Sequence, residues 1–303
     1  MSAQPPSGDP LLLVIDPAAR AADGESVRVA KDVLSACAPV KIALPESTQE
    51  LDRALAHRGR RRPVVIGDDR ALHRVVQALH ERRELSTAAV SLVPVGPLDS
   101  VPMARALGLP MQAAPAARAA MSGAERSLDL LVDDRGGVVL GAVEIGSCHL
   151  GGGGRTNGTR VNGSPGASTD GSSAGGGWWE YVGRGAISLA RSLRVPLTTS
   201  QLPRLRVEAD GVVLADLDRP VQRVAVSNAC DSSPGGTDGH PDDGLVEVVV
   251  RRASGYGPVR VCARAVTVSG RDFSYAADAE LTGPVRKRTW TVQPGAWRLT
   301  VPG

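Results

Sequence analysis

The sequence predicts two domains, an α/β domain followed by an antiparallel β domain. At 303 residues the chain exceeds the size that one hydrophobic core usually supports. In its first third, short apolar runs alternate with stretches whose apolar residues recur at helical spacing, which is typical of a parallel sheet covered by helices. After about residue 120 this pattern gives way to β-branched runs separated by Gly/Asp turns, which predicts an antiparallel sandwich.

The first domain is predicted to alternate four strands with four helices. Each predicted strand is a short apolar run, and each predicted helix has apolar residues three or four positions apart. Because only 3% of the residues are aromatic, the core must be built from Val, Leu, Ile and Ala. The predicted strands are residues 11–15, 40–44, 64–66 and 90–94, and the predicted helices are residues 26–37, 48–58, 70–85 and 103–107.

The second domain is predicted to consist mainly of strands. A Gly/Ser-rich tract at residues 151–177 is too poor in apolar residues to pack, and we expect a mobile loop there. The other predicted strands are residues 128–132, 138–143, 205–209, 221–226, 246–250, 259–268 and 297–301.

Charge and motif content argue against several classes of function. A net charge of +3, without a basic helix interleaved with aromatic residues, argues against nucleic-acid binding. The first residues carry neither a signal peptide nor a spanning helix, so we expect a cytoplasmic protein, with any membrane contact peripheral and on the inner face. The four cysteines lack CxxC spacing, so we expect reduced thiols rather than a zinc site or disulfides.

Three polar or aromatic features allow both a structural and a functional interpretation. The basic run at residues 57–62 is either a solvated helix end or an attractor of anionic lipid or nucleotide. The aromatic cluster at residues 178–181 either anchors a helix or touches a membrane interface. His73 is interpreted as a helix-surface residue.

Residues 63–79 (PVVIGDDRALHRVVQAL) predict a strand, a tight turn at Gly67 and a helix. A turn of this kind lies at the carboxyl end of a strand and the N-terminus of a helix. Exposed N–H groups and the helix dipole favour a bound phosphate at such a position. Glycine in such a loop lets the backbone approach the phosphate closely.

Read without gaps, residues 67–76 (GDDRALHRVV) resemble the GGDGTLNEVV segment of diacylglycerol, sphingosine and NAD kinases. The chain is identified as a divergent member of the diacylglycerol kinase catalytic-domain family, which includes the bacterial diacylglycerol and sphingosine kinase-like lipid kinases, and the resemblance covers nearly the whole chain. Six further segments match in the same order: LLLVIDPAAR at 11–20, SLVPVGPLDSVPMARALGLP at 91–110, VAVSN at 224–228, PDDGLVEVVV at 241–250, YAADAE at 275–280 and QPGAWRLTVP at 293–302.

The resemblance implies the domain bounds. It implies an NAD kinase/diacylglycerol kinase-like three-layer α/β domain at residues 8–120 plus 288–303, and a β-sandwich lipid-kinase domain at residues 121–287. It also implies Mg²⁺ and ATP, and a lipid substrate such as diacylglycerol whose hydroxyl receives the γ-phosphate.

The resemblance implies the site residues as well. Asp278 would take the proton from the lipid hydroxyl, with Glu280 beside it. Clustered carboxylates suit a hard cation, so Asp242 and Asp243 would bind a structural magnesium, although a polar turn before a strand is the alternative. The implied nucleotide-binding residues are Asp16, Gly67, Asp69, Arg70 and Gly96.

Several phosphate-side positions depart from the family pattern. Asp68, Arg70 and Ala71 replace glycine, glycine and threonine, Asp16 replaces asparagine, and Pro97-Leu98 interrupts the second loop. Two hypotheses therefore stay open. The first is an ATP-dependent lipid kinase in which Arg70 binds the phosphate. The second is a catalytically impaired pseudokinase that binds lipid or regulates a partner.

Overall fold

A computed structural model describes residues 8–146, 202–228, 230, 242–253, 257–278 and 280–302 of the chain. The strands of its first sheet are β1 (Leu11–Ile15), β2 (Val40–Ala43), β3 (Arg62–Gly67) and β4 (Ser91–Pro94). They are parallel and lie in the order β2, β1, β3, β4. The register places Leu13 opposite Ile42 on one side and Val64 on the other.

Helices cover both faces of this sheet. They are α1 (Pro17–Ala22), α2 (Gly24–Cys37), α3 (Thr48–Ala56), α4 (Asp69–Glu81), α5 (Pro102–Ala106) and α6 (Ala113–Ser122), with a 3₁₀ turn at Leu85–Thr87. Buried residues of α1, α2 and α6 pack on one face, and those of α3, α4 and α5 pack on the other. The predicted three-layer α/β arrangement is confirmed.

Two helices were not predicted, and two end two or more residues before their predicted ends, one of them α3, which ends at Ala56 rather than at residue 58. The six residues of α1 are too few to show a helical repeat. Helix α6 is rich in alanine. Because alanine side chains are small and only weakly hydrophobic, they give a weak helical periodicity in the sequence. Helix α4 ends at residue 81 rather than 85, and soon afterwards Arg83 adopts a left-handed φ of 57° that no helix can include.

The other ten strands form one antiparallel sheet. They are β5 (Ala124–Asp133), β6 (Val138–Val139), β7 (Ala142–Gly146), β8 (Leu205–Ala209), β9 (Val212–Ala215), β10 (Val221–Ser227), β11 (Val246–Arg252), β12 (Val259–Ala263), β13 (Ala265–Ala277) and β14 (Glu280–Val301). The strand order is β12, β11, β10, β7, β13, β14, β5, β6, and β8 pairs with both β13 and β9.

This second sheet closes around its own core. Strand β12 contacts β8, and β11 contacts β9, although each pair is distant in the strand order. Apolar side chains from one face of the sheet therefore meet in a single buried cluster. In that cluster the rings of Tyr275 and Trp290 pack edge to face, with centroids 5.1 Å apart. The predicted antiparallel β domain is confirmed.

Two predicted strands are interrupted where a carboxylate binds the backbone. The run at residues 259–268 breaks at Arg264, because Asp210 accepts hydrogen bonds from the N–H groups of Arg264 and Ala265. The run at residues 138–143 breaks at residues 140–141, whose N–H groups donate to Asp278. In both places a side-chain acceptor takes the N–H groups that a neighbouring strand would otherwise bind.

The end of β14 joins the two sheets. Val90, just before β4, donates to the carbonyl of Arg298 at 2.8 Å and accepts from the N–H of Thr300 at 2.9 Å. Trp297 and Leu299 are buried in the same apolar cluster as the inner face of α4. Helix α4 is therefore packed between the first sheet and the β domain.

The basic run at residues 57–62 divides between surface and interior: His57 and Arg60 are exposed, whereas Arg58 and Arg62 bind groups of the protein itself. Arg58 is 8% exposed and its guanidinium lies 2.8 Å from the carboxylate of Glu84. Burial lowers the pKa of Arg62, which lies at the start of β3. The Arg62 guanidinium donates to Ser91 Oγ at 2.5 Å, to Thr300 Oγ1 at 3.1 Å and to the carbonyl of Ala120 at 2.8 Å.

The expectation of reduced cysteines is wrong for one pair. Cys230 and Cys262 form a disulfide, with their Cα atoms 5.8 Å apart. Sequence spacing did not indicate this pair because the two residues are brought together only by the order of the strands. Cys37 is free and exposed, and Cys148 lies outside the described residues.

Other predictions also fall outside the described residues. These are the mobile loop at residues 151–177 and the aromatic cluster at residues 178–181. Among the residues that are described, no helix is long and apolar enough to cross a membrane.

Candidate functional site

The candidate site lies where the first sheet meets the β domain. Asp16 directly follows β1, and Asp68 and Asp69 directly follow β3. Because carboxyl ends of adjacent parallel strands share one edge of a sheet, these three carboxylates gather there. Helix α4 starts at this edge and runs along the β domain, which brings the edge close to Asp278.

Asp68 caps helix α4 with its own carboxylate. Its Oδ1 accepts the backbone N–H of Ala71 at 3.0 Å, which is the standard N-cap arrangement. Burial raises the pKa of Asp68, and the neighbouring charge of Asp16 adds to the effect. The helix N-terminus, where a phosphate would bind, thus already holds an anionic group of the protein.

Asp16 is paired with Arg74. It is 6% exposed, and its Oδ1 lies 2.8 Å from Nη2 of Arg74. The two side chains line a small pocket together with Ser47 and Thr48, at the N-terminus of α3. Arg74, which lines this pocket, is therefore already paired with a carboxylate.

Gly67 and Gly96 are required by the packing of the protein itself. A Cβ on Gly67 would lie 2.8 Å from the Cβ of Ala71 and 3.0 Å from the Cβ of Asp16. A Cβ on Gly96 would lie 2.7 Å from Ser100 Oγ. The space that glycine leaves at these positions is occupied by neighbouring side chains of this chain.

Asp69 joins the start of α4 to α5. Its carboxylate accepts the N–H groups of Met103 at 2.6 Å and Ala104 at 3.2 Å. Burial, together with the charges of Asp68 and Asp278, raises the pKa of Asp69 to about 7, although the two hydrogen bonds act to lower it. The next residue, Arg70, is exposed to solvent.

Asp278 is held by a cradle of backbone donors. It sits at the turn between β13 and β14 with a left-handed φ of 44°. Burial raises the pKa of Asp278, whereas His73 and the three N–H groups lower it. The carboxylate accepts from the N–H groups of Leu140 at 2.5 Å, Gly141 at 2.7 Å and Ala142 at 3.1 Å.

His73 faces Asp278, and the sequence interpretation of a surface histidine is wrong. Its side chain is 17% exposed, with Nε2 2.9 Å from the carbonyl oxygen of Val138 and 3.9 Å from Asp278 Oδ2. Asp69, His73 and Gln77 are spaced four residues apart on α4 and so share the helix face toward the β domain. That polar stripe was the sequence signal for His73, and it was overlooked.

The remaining predicted residues lie apart from this cluster. Glu280 is exposed at the start of β14, opposite Ala277. Asp242 and Asp243 are also exposed, and Asp243 Oδ1 accepts the N–H of Leu245 at 2.8 Å. Within the described part of the chain, no three His, Cys, Asp or Glu side chains converge in a way that would hold a metal ion.

Asp129 is a polar residue that the sequence reading missed. It is fully buried in β5, and its carboxylate accepts the N–H groups of Gly244 at 2.6 Å and Gly295 at 2.7 Å. Burial raises its pKa, with further contributions from the charges of Asp243 and Asp242. A single acid inside the apolar run LDLLV was the available signal.

The fold resembles solved structures along almost the whole length of the chain. Three solved structures of a proposed diacylglycerol kinase from Bacillus anthracis strain Sterne match it with 14% sequence identity. Two have TM-scores of 0.67 and one of 0.66, and each comparison covers 97% of this chain and 97 to 98% of the other. No protein-family model matches the sequence, and no curated protein matches it.

These matches show that the chain has the two-domain fold of diacylglycerol kinase-like proteins, which agrees with the resemblance in its motifs. At 14% identity they show the fold alone, so the role of each site residue depends on the geometry described above.

Proposed function

We propose that this protein is a diacylglycerol kinase-like protein that binds a lipid hydroxyl group at Asp278 and has lost the use of ATP. The observation that carries this proposal is the carboxylate of Asp68 on the N–H of Ala71. In a working phosphate loop that helix N-terminus binds the nucleotide. Here an ATP phosphate would have to displace a negatively charged cap.

The electrostatics of the edge support the same conclusion. Asp16, Asp68 and Asp69 all surround the place where phosphates would lie, and Arg74 is paired with Asp16. An incoming polyphosphate would meet two or three carboxylates, with Arg74 already paired and the exposed Arg70 as a further cation. Like charges brought this close in a half-buried site oppose binding.

The surroundings of Asp278 support lipid binding. The Asp278 carboxylate is buried and faces the junction of the domains, and a hydroxyl is the kind of donor that such an acceptor binds. A diacylglycerol offers one hydroxyl on an otherwise apolar molecule. Because such a lipid is presented by a membrane, the proposal includes peripheral contact of a cytoplasmic protein with a bilayer surface.

A second candidate is the ATP-dependent lipid kinase, and one observation favours it. The charge of Asp278 contributes to the raised pKa of Asp69, so a base and a phosphate-side acid lie in one cluster. In that case Asp278 would accept the hydroxyl proton of the lipid.

ATP and Mg²⁺ would be required for this second function. Mg²⁺ commonly uses one or two carboxylates and keeps several waters, so exposed Asp242 and Asp243 fit it, and it would neutralise local negative charge there.

Calorimetric titration with ATP and Mg²⁺ distinguishes the two functions. We expect no saturable binding by the wild type, and a gain of binding by Asp68→Gly, which frees the helix N-terminus. Micromolar binding of ATP by the wild type would refute the loss of nucleotide use. ADP serves as a parallel ligand.

Vesicle sedimentation tests the lipid site. Vesicles of phosphatidylcholine with diacylglycerol should retain the wild type more than vesicles of phosphatidylcholine alone, and Asp278→Asn should reduce the difference. Glu280→Gln is the control, because this carboxylate is exposed and lies apart from the cluster. Equal retention on both vesicles would contradict lipid binding.

A further inference from the structure

The Cys230–Cys262 disulfide joins two parts of the β domain that are not neighbours in the sheet. Cys262 lies on β12, the edge strand, and pairs across to Glu247 of β11. Cys230 follows the end of β10, on the other side of β11. The disulfide therefore ties Cys230 to the edge strand β12, past the intervening strand β11.

The two cysteine residues differ in exposure. Cys230 is 3% exposed, whereas Cys262 is exposed on the edge strand. Thiol–disulfide exchange proceeds by attack of a thiolate on an accessible sulfur, so an external thiol should reach Cys262 first.

A short series of contacts leads from this disulfide to the candidate site. Asn228, two residues before Cys230, is 2% exposed and donates its backbone N–H to the carbonyl of Gly141 at 2.9 Å. Its side-chain amide donates to the carbonyl of Leu140 at 3.2 Å. The N–H groups of these same two residues hold the carboxylate of Asp278. Residues 140–141 are thus bound by Asn228 on one side and Asp278 on the other.

We propose that Cys230–Cys262 is a reversible thiol-modification site, and that its state controls how rigidly residues 140–142 hold Asp278. A low-molecular-weight thiolate attacks Sγ of Cys262, the S–S bond breaks, and its electron pair leaves on Cys230, which takes a proton from water. A second thiolate then attacks the small thiol's own sulfur in the mixed disulfide and releases the Cys262 thiolate. In total two thiols are oxidised to one disulfide, and the protein disulfide is reduced to two thiols.

The physical basis is the loss of a covalent constraint. With the disulfide intact, Cys230 cannot move away from the edge strand, which restrains Asn228, two residues earlier, against residues 140–141. After reduction, this end of β10 is held by hydrogen bonds and packing alone, and the local opening free energy falls. The inference does not depend on whether the protein uses ATP.

The test is hydrogen exchange of the full chain, followed by mass spectrometry, with and without reduced glutathione. We expect a glutathione adduct at Cys262 rather than Cys230. We also expect exchange at residues 140–142 to rise about tenfold or more on reduction, which corresponds to about 1.4 kcal/mol of opening free energy. Oxidised glutathione should reverse both changes.

Two variants and one chemical control make the test decisive. Cys262→Ser should exchange fast at residues 140–142 without thiol, and Cys37→Ser should behave as the wild type because Cys37 lies on α2 in the other domain. If Cys262→Ser fails to fold, wild type that is reduced and alkylated replaces it. Unchanged exchange at residues 140–142 after confirmed reduction, or purified protein without the disulfide under air, would overturn the proposal.

Discussion

Nε2 of His73 lies 3.9 Å from Oδ2 of Asp278, across the junction between helix α4 and the β domain. The same nitrogen lies 2.9 Å from the carbonyl oxygen of Val138, at the start of β6. One histidine therefore contacts both the hairpin that precedes the Asp278 cradle and the carboxylate within it.

This contact predicts the effect of His73→Asn. Burial raises the pKa of Asp278 and the charge of His73 lowers it, so removing the imidazole should raise the pKa of Asp278 further. Asparagine keeps a donor for Val138. Carboxyl-carbon NMR titration measures the change, and a pKa of Asp278 that stays the same or falls would show that His73 has no electrostatic influence on it.

Asp278 is predicted to be important for folding as well as for binding. Asp278→Ala leaves three N–H groups without their acceptor, and each unmet donor costs about 1–3 kcal/mol. We expect the free energy of unfolding in urea to fall by about 2 kcal/mol or more, and by less in Asp278→Asn, which keeps one acceptor oxygen. Glu280→Ala is the control, with a change within about 0.5 kcal/mol. Equal effects of the two alanine variants would contradict the role of the cradle.

Asp69 predicts a specific pH dependence of stability. Its pKa is raised from 3.8 to about 7 on folding, so the folded state binds a proton that the unfolded state has lost. Stability from this group is complete below the unfolded pKa and falls as pH rises toward about 7, by at most about 1.4 kcal/mol per pH unit. In Asp69→Asn this loss should disappear. Urea unfolding at several pH values between 4 and 8 should show the variant gaining on the wild type as pH rises, and parallel curves would exclude the raised pKa.

Arg62 is predicted to hold the two sheets together. Its guanidinium binds Ser91 Oγ at the start of β4 and Thr300 Oγ1 near the end of β14. Arg62→Ala would remove its hydrogen bonds to Ser91, Thr300 and the carbonyl of Ala120 and create a cavity, so we expect a loss of about 2–4 kcal/mol in the free energy of unfolding. Arg60→Ala tests the same charge at an exposed position and should change little. A small effect at both positions would mean that the contacts of Arg62 are not needed.

Magnesium should stabilise the protein if Asp242 and Asp243 bind it. At a concentration about tenfold above its Kd, a ligand of the folded state adds about 1.4 kcal/mol. The thermal midpoint should therefore rise with Mg²⁺ and fall again with a chelator, and the double variant Asp242→Asn, Asp243→Asn should lose the response. Asp272→Asn is the matched control, since Asp272 is an exposed acid elsewhere on the β domain. No shift in the wild type would argue for a polar turn alone.

The sequence was most informative where one local pattern decides the structure. The apolar runs that became β1, β3 and β8 were placed within a residue or two, because each run is short, buried and bounded by turn residues. The acids at residues 68 and 69 were correctly placed at the end of a strand and the start of a helix. That Asp68 would cap the helix was predictable from its position directly before α4, because aspartate is a preferred N-cap residue.

Local sequence patterns did not predict the contacts between distant segments. The interruption at residues 140–141 depends on Asp278, more than 130 positions later in the chain, and the burial of Arg62 depends on Thr300. The disulfide between Cys230 and Cys262 likewise depends on which strands lie side by side.

By itself, the order of apolar runs, helical repeats and turn residues determined that this chain forms an α/β domain followed by an antiparallel β domain, because those patterns express local preference and burial. Only the tertiary structure decided what the charged residues do. Whether a carboxylate binds a ligand, caps a helix or accepts three backbone N–H groups depends on which donors folding brings within about 3 Å of it, and most of these donors are far away in sequence.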